Sequence, residues 1–339
     1  MTPPLRIAVT LGDPRGIGPE ITEAALRTFL AEAPEVEVTL FGADAHGEMV
    51  ARSPHASRMA YRGLGAHDAH PESPGRISVE ALREGTRLCL EGRADALVTG
   101  PVHKPSLHRA GARFPGQTEF LQSLTGAREV GMLMAAESSV FDRPIRILLA
   151  TTHLPLREVP DRLTHEVVVS QCRLLDDALR RGWGIAVPTL ALCALNPHAS
   201  DSGLFGDEEA RVLTPAVEAL REEGLRLQGP MPADTVFLEL TGGRVDGVVV
   251  PYHDVGMAVF KTLAFGQGVN VTLGLPFLRT SPDHGTAFDL VGTGRARHES
   301  TLEALRLARR AGPGLRHVPA PTEGETNVVE PLTSRRSSG

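Results

Sequence analysis

Cysteine is scarce in this chain, and its distribution excludes one group of sites. Three cysteines occur among 339 residues, at Cys89, Cys172 and Cys193. They lie far apart and never form the CxxC spacing of a redox pair or a structural metal site. Because each falls within an apolar or helical pattern, we expect all three to be small buried hydrophobic side chains.

Membrane spans and a nucleic-acid-binding surface are also missing. No apolar run approaches the roughly 18 residues of a membrane-spanning helix, and the first residues lack the cationic region and apolar core of a signal peptide. The net charge of -6 gives no basic excess for binding nucleic acid. The sequence therefore predicts a cytoplasmic protein of small-molecule metabolism, with no membrane or nucleic-acid partner.

Three short ligand-binding motifs are absent as well. The first predicted strand, 5–12, leads into the turn GDPRGIGPE and then an amphipathic helix. Its glycines do not follow G-x-G-x-x-G, the P-loop lysine is missing, and HExxH occurs nowhere in the chain. Such a turn either packs strand against helix or holds an anion at the helix N-terminus, and its spacing favours the structural role.

Four continuous apolar runs dominate what is present: ALVTG, ILLATTH, LALCALN and VVVPYH. Amphipathic helices are predicted between them. Parallel strands that are buried on both faces have this pattern, so we expect an α/β fold with mostly parallel sheets flanked by helices. The length favours two domains.

A candidate ligand follows each of these four predicted strands: Lys104, His153, His198 and His253. In α/β sheets, ligands bind beyond the carboxyl ends of the strands. Three imidazoles at equivalent positions suit one divalent metal with an open coordination position. The alternative is that each histidine is structural, because separations of 45 and 55 residues match no short metal-binding motif.

A second group of candidates surrounds the last apolar run. Residues 251–286 contain two cations and an amide, at Lys261, Arg279 and Asn270. Together they suit a phosphorylated anion beside the metal. Gln117 and Thr118, just ahead of a predicted helix, add uncharged hydrogen-bonding groups. The alternative is a pair of loops with ordinary solvated charges.

Two other stretches carry simpler expectations. The segment from Ala43 to Gly75 is rich in Pro, Gly and His and is expected to be a solvated loop. Asp207, Glu208 and Glu209 begin a predicted helix, where acidic side chains interact favourably with the helix dipole.

Eight segments, in order between residues 12 and about 296, together resemble one family, the 4-hydroxythreonine-4-phosphate dehydrogenases of pyridoxal phosphate (vitamin B6) biosynthesis. They are GDPRGIGPE, VTGPVHK, FPGQTEF, TTHLPLREVP, LNPHASDSGLFGDEE, GPMPADTVF, PYHDVGM and RTSPDHGTAFDLVGTGRA. The resemblance implies an NAD(P)-dependent enzyme with the isocitrate and isopropylmalate dehydrogenase-like fold. It also implies a homodimer with each active site in an interdomain cleft at the subunit interface.

The resemblance assigns roles to the candidate residues. It makes His153, His198 and His253 the ligands of a divalent metal (Zn, Mg, Mn or Co), contributed across the dimer. It makes Thr118, Lys261, Asn270 and Arg279 substrate-binding residues. It also suggests Asp234 as the general base, with orientation of a metal-binding histidine as the alternative role.

Gln117 departs from the family pattern, which has histidine at this position. Glutamine forms hydrogen bonds but takes no positive charge at neutral pH, so the departure bears on substrate identity. Related enzymes that oxidise threonate or erythronate phosphates share the same framework.

The implied domain organisation divides the chain into three parts. A terminal domain would comprise 1–130 plus 290–320, and a central domain, 131–289, would carry the metal ligands and the dimer contacts. A disordered tail is expected over 321–339.

The implied reaction is oxidation and decarboxylation of 4-phosphooxy-L-threonine to 3-amino-2-oxopropyl phosphate. A rival from another reaction class is a phosphate acyltransferase, which has a related architecture but needs coenzyme A. A metal-dependent small-molecule binding module is a non-enzymatic rival.

Overall fold

The computed structural model of the protein describes residues 4–68, 70 and 72–316. The tail expected over 321–339 lies outside them. The strands are β1 (Leu5–Thr10), β2 (Val36–Gly42), β3 (Met59–Gly63), β4 (Ala96–Thr99), β5 (Gly131–Ala136), β6 (Ile145–Leu149), β7 (Thr189–Cys193), β8 (Arg226–Met231), β9 (Gly247–Val250), β10 (Val269–Leu273) and β11 (Leu278–Pro282).

Eleven α-helices accompany the strands in the described residues. They are α1 (Gly18–Glu32), α2 (Glu48–Ala51), α3 (Glu72–Leu90), α4 (Lys104–Arg109), α5 (Gln117–Thr125), α6 (Val159–Arg162), α7 (His165–Trp183), α8 (Thr214–Glu222), α9 (Ala233–Thr241), α10 (His253–Ala264) and α11 (Glu299–Leu315). A π-helical turn, Glu209–Leu213, precedes α8. Within the described ranges, no helix is both long and apolar enough to cross a membrane.

All the strands form one sheet, in the order β3-β2-β1-β4-β11-β10-β5-β6-β9-β7-β8. Seven of the ten pairings are parallel and three are antiparallel. The predicted mostly parallel α/β architecture is confirmed. Strands β4, β6, β7 and β9 are buried along almost their whole length, as their uninterrupted apolar sequences predict.

The antiparallel pairings lie together in the middle of the sheet and reverse its direction. Strand β10 is antiparallel to both β11 and β5, and β5 is antiparallel to β6. Three reversals separate β4 from β6, so the block β3-β2-β1-β4-β11 runs opposite to the block β6-β9-β7-β8. The carboxyl end of β4 therefore points in the opposite direction from the carboxyl ends of β6, β7 and β9. The expectation that all four carboxyl ends lie on the same side of the sheet is wrong.

Amphipathic helices cover the sheet and form its core. Helix α11 packs against α1, α7 and β11, and it buries Leu302, Leu305 and Leu307. In α7 the predicted inward stripe is confirmed, with Val168, Cys172, Leu175 and Leu179 buried. The other two cysteines are buried too, as expected.

Two segments differ from the sequence-based expectation. The stretch from Ala43 to Gly75 is not simply a loop, because it contains β3, which pairs with β2 at the edge of the sheet. Residues 251–286 are not two loops, because they form α10 and the β10–β11 hairpin. Since that hairpin pairs with both β4 and β5, the sheet is continuous across it. The division into 1–130 plus 290–320 and 131–289 stays a prediction.

The glycine turn after β1 serves close backbone packing. A Cβ atom on Gly12, where φ is +79°, would lie 2.1 Å from the carbonyl oxygen of Pro101. A Cβ atom on Gly18 would lie 2.0 Å from the carbonyl oxygen of Leu11. These approaches agree with the structural role that the spacing favours.

We expect Gly12→Ala to lower the free energy of unfolding by considerably more than the roughly 1–2 kcal/mol of a left-handed non-glycine residue. Gly111→Ala is the matched control, because Gly111 also has a positive φ, +89°, with nothing within 4 Å of an added Cβ atom. Urea denaturation of both variants measures the difference. Equal losses would show that the contact with Pro101 relaxes without cost.

Candidate active site

A cavity of about 720 Å³ lies against one face of the central antiparallel strands β5, β10 and β11. The β10–β11 pairing sets Asn270 opposite Ser281 and Thr272 opposite Arg279, while the β10–β5 pairing sets Asn270 opposite Met134. Side chains that alternate along a strand share a face, so these polar groups point the same way. Because the cavity's walls also include the segment after β4 and the segment after β6, it joins the two halves of the sheet.

Arg279 is a buried cation in the wall of this cavity and is only 2% exposed. Its guanidinium donates from Nη2 to Thr99 Oγ1 at 2.6 Å and from Nη1 to Thr272 Oγ1 at 3.1 Å. No carboxylate in the described part of the chain forms an ion pair with it. Burial lowers the pKa of Arg279 to about 10, so it remains charged at neutral pH. A charged donor without a counter-ion in a cavity wall is suited to binding an anionic ligand.

Three other polar groups in the wall have buried atoms without a partner in the described structure. They are Gln117 Oε1, Asn270 Oδ1 and His284 Nε2. The other end of the Gln117 amide donates to Gly100 O at 3.3 Å. Buried polar atoms are normally hydrogen-bonded, so these positions are suited to contacting a polar ligand.

His153 and His253 meet at the same cavity. They follow the neighbouring parallel strands β6 and β9, and their ring centroids are 5.5 Å apart. Burial lowers the pKa of His153, and the neighbouring Lys104 and His253 lower it further, which favours the neutral ring that binds metals. His253 Nδ1 is 2.7 Å from Asp254 Oδ1, which leaves Nε2 for a ligand.

His198, the third predicted metal ligand, is not beside the other two. It follows β7, which pairs with β9, but it is exposed and its ring lies nearest that of Phe205, at 6.4 Å between centroids. Across the described part of the chain, no cluster of three or more His, Cys, Asp or Glu side chains could hold a metal ion. Because β7 is parallel to β9, their carboxyl ends lie side by side, as predicted. The loop after β7 nevertheless leaves His198 outside the cavity wall.

Two further predicted site residues lie outside the cavity wall. The ammonium of Lys261 forms an ion pair with Asp283, which does line the cavity, and donates to the Asp283 carbonyl oxygen at 3.0 Å. Asp234 is exposed in the first turn of α9, after β8. The structure thus assembles His153, His253, Gln117, Thr118, Asn270 and Arg279, and leaves His198, Asp234 and Lys261 outside.

Sequence reasoning missed Thr99, Thr272 and Ser281. Thr272 could have been found, because polar residues alternate with apolar ones along VNVTL, as in a strand with one polar face. Ser281 could not, because LRTSP has three polar residues in succession. Thr99 carries no such signal. Its contact with Arg279 depends on the pairing of β4 with β11, strands 180 residues apart in the chain.

The fold is shared with known enzymes. The isocitrate dehydrogenase of Methylococcus capsulatus is 16% identical with a TM-score of 0.53, over 91% of this chain and 86% of that one. A branched-chain phosphotransacylase of Enterococcus faecalis is 13% identical with a TM-score of 0.58, over 91% of this chain and 99% of that one. These likenesses confirm the predicted isocitrate dehydrogenase-like fold.

Closer relatives narrow the class to a family. The family model of the pyridoxal phosphate biosynthetic protein PdxA matches residues 22–308. A 4-hydroxythreonine-4-phosphate dehydrogenase of Paracoccus denitrificans is 42% identical over 91% of this chain and 98% of its own length. The crystal structure of the Klebsiella pneumoniae 4-hydroxythreonine-4-phosphate dehydrogenase is 36% identical with a TM-score of 0.77, over 91% of this chain and 99% of that one. The chain belongs to the PdxA family.

We expect Arg279→Met to abolish the rise in melting temperature that inorganic phosphate gives the wild-type protein, because the variant lacks the buried cation. The ligand-free variant should keep most of its stability. Burial holds the pKa of Arg279 below its unfolded value, so the charge costs the folded state stability at every pH below about 10.

Arg146→Met is the matched control for this measurement. Arg146 is also buried, but it pairs with Glu137 and stacks on Trp183 away from the cavity. Its loss should lower the melting temperature without changing the response to phosphate. An undiminished phosphate response in Arg279→Met would contradict the anion-binding role.

Proposed function

We propose that the protein is a 4-hydroxythreonine-4-phosphate dehydrogenase that works in the cytoplasm in the synthesis of pyridoxal 5'-phosphate. The substrate would be 4-phosphooxy-L-threonine, which is oxidised at its secondary alcohol and loses carbon dioxide to give 3-amino-2-oxopropyl phosphate. The observation that carries the proposal is the buried Arg279, which forms no ion pair with a carboxylate in the described residues and lies in the same cavity as His153 and His253. Membership of the PdxA family supports it.

Binding of the phosphoryl group would fix the substrate at its unreactive end. Arg279 donates to the phosphoryl oxygens, while Thr99 and Thr272 hold the guanidinium in place. Asn270 and Thr118 supply uncharged groups beside it. Lys261 acts through Asp283, whose position it fixes at the cavity wall. Binding energy spent on the phosphate thereby places the reacting carbon near the histidines.

The site also fits a divalent metal and a nicotinamide cofactor. His153 and His253 would hold the metal, since both rings meet at the cavity and the lowered pKa of His153 favours its neutral form. A nicotinamide cofactor, NAD or NADP, agrees with the dehydrogenase names of the relatives. When bound, the metal supplies Lewis-acid polarisation and the dinucleotide accepts the hydride.

A second copy of the chain would complete the site. His198 and Asp234 follow the neighbouring parallel strands β7 and β8, and both are exposed. Three apolar side chains in the same segments are also largely exposed: Leu204 (72%), Phe205 (47%) and Leu238 (60%). Exposed apolar patches of this kind mark interfaces, so we propose that this surface docks on a partner subunit in a homodimer. His198 then becomes the third metal ligand of the partner's cavity.

The proton of the substrate hydroxyl needs an acceptor. Asp234 takes this role only if it arrives with His198 from the second subunit, because within one chain it lies outside the cavity. Orientation of a metal-binding histidine is its alternative role.

A related substrate is the second candidate, and Gln117 is the observation that favours it. Its amide, with an unpartnered oxygen in the cavity, offers no positive charge to a substrate carboxylate. Threonate 4-phosphate and erythronate 4-phosphate are the alternatives.

We expect purified protein to reduce NAD or NADP only when a divalent metal and a 4-phosphorylated hydroxy acid are both present. The experiment is a spectrophotometric assay with 4-phosphooxy-L-threonine, threonate 4-phosphate and erythronate 4-phosphate, each with Zn, Mg, Mn or Co and after chelation. Phosphate-dependent acyl transfer from coenzyme A without nicotinamide reduction would favour the acyltransferase. Binding without turnover of any substrate would favour the binding module.

We expect mixtures of inactive His153→Ala and His198→Ala proteins to regain about a quarter of wild-type activity after subunit exchange, because half the dimers are hybrids with one intact site of two. Mixtures of His153→Ala and His253→Ala are the control and should stay inactive, since both residues belong to the same subunit's half of the site. No recovery in the first mixture would contradict the shared site.

A further inference from the structure

The loop that carries His198 contains an unusual left-handed turn. Positive φ angles of 54°, 54°, 64°, 44° and 59° occur at His198, Ala199, Ser200, Asp201 and Ser202. Non-glycine residues normally visit this region singly, because the Cβ atom approaches the following carbonyl oxygen. Five in succession need support from the surrounding structure.

In the described structure, every side-chain hydrogen bond of Glu209 goes to the segment just before this turn. Its Oε1 accepts from the backbone N–H groups of Leu195, at 2.9 Å, and Asn196, at 2.8 Å. Its Oε2 accepts from Asn196 Nδ2 at 2.8 Å. The side chain is 4% exposed, so its charge is compensated by these donors rather than by water. The prediction that Glu209 begins a helical segment is confirmed, and its carboxylate also has these specific hydrogen-bond donors.

Two residues near Glu209 in the sequence, Glu208 and Gly206, also lie against Asn196. Glu208 Oε2 also accepts from Asn196 Nδ2, at 2.7 Å. A Cβ atom on Gly206 would lie 2.6 Å from both of these atoms, so a side chain there would displace the hydrogen-bonded pair. Glu209 is the first residue of the π-helical turn, a local irregularity that often accompanies functional sites.

We infer that Glu209 is a positioning residue that holds the left-handed turn in the conformation that presents His198 to the second subunit. This inference rests on the proposed metal role of His198. The carboxylate fixes the backbone at residues 195 and 196, two residues before His198. Without it, the N–H groups of two half-buried residues lose their acceptor and the strained turn loses its anchor.

The test compares Co²⁺ binding by full-length dimeric wild-type protein and its Glu209→Ala variant. We expect affinity to fall about 10–100-fold, as for other residues that orient a metal ligand, and the visible absorption bands of bound Co²⁺ to change. Amide hydrogen exchange over residues 195–202 should accelerate. Glu209→Gln should recover most of the affinity, because its amide oxygen still accepts from both backbone N–H groups.

Asp95→Ala is the matched control for a purely structural effect. Asp95 is likewise 4% exposed and accepts from a backbone N–H group, that of Arg6, at 2.7 Å. Its loss should lower the melting temperature and leave Co²⁺ affinity unchanged. If Glu209→Ala does not fold, Glu209→Asp replaces it, because a carboxylate shortened by one methylene group cannot reach both backbone donors.

Two outcomes separate this inference from the proposed function. A Glu209 variant with wild-type Co²⁺ affinity and spectrum, beside a His198→Ala variant that has lost both, would overturn the role of Glu209 alone. A His198→Ala variant that binds Co²⁺ normally would overturn the proposed metal site itself.

Discussion

The burial of one unpaired guanidinium is the constraint on which the rest of the site depends. Arg279 is surrounded by the central strands of the sheet, and hydroxyl groups rather than carboxylates hold it. Such a charge is costly to bury, as its lowered pKa shows. The three antiparallel strands provide its position because they align Thr272 with Arg279 across the hairpin. Burial of Arg279 therefore costs stability and fixes a cation in the cavity wall, which suits it to binding an anion.

The direction of the sheet explains why the cavity lies where it does. The two parallel blocks of strands run in opposite directions. Residues that follow β4 and residues that follow β6 both reach the antiparallel centre of the sheet, which lies between the two blocks. Lys104 and Gln117 come from one side, His153 and His253 from the other. A phosphorylated substrate that spans the cavity would therefore contact both halves of the chain.

Much of this could be predicted from the sequence, and the failures have physical causes. Continuous apolar runs identified β4, β6, β7 and β9, because strands buried on both faces have no polar alternation. Histidines at the ends of β6 and β9 meet, as neighbouring parallel strands require. The reversal of direction was not predictable, because it depends on which strand β11 pairs with. The position of His198 was missed because a left-handed turn of non-glycine residues has no composition signal.

The proposed division of the site between two subunits rests on the same loop. The backbone after β7 carries His198 to the surface, beside exposed Leu204 and Phe205, instead of into its own cavity. The strain of that turn, roughly 1–2 kcal/mol for each left-handed residue, is consistent with a constrained functional segment.

The most direct measurement is a crystal structure of the dimer with 4-phosphooxy-L-threonine and Zn²⁺. The account predicts the phosphoryl group on Arg279 and the metal between His153, His253 and a histidine from the other subunit; a phosphoryl group bound away from Arg279 would contradict it.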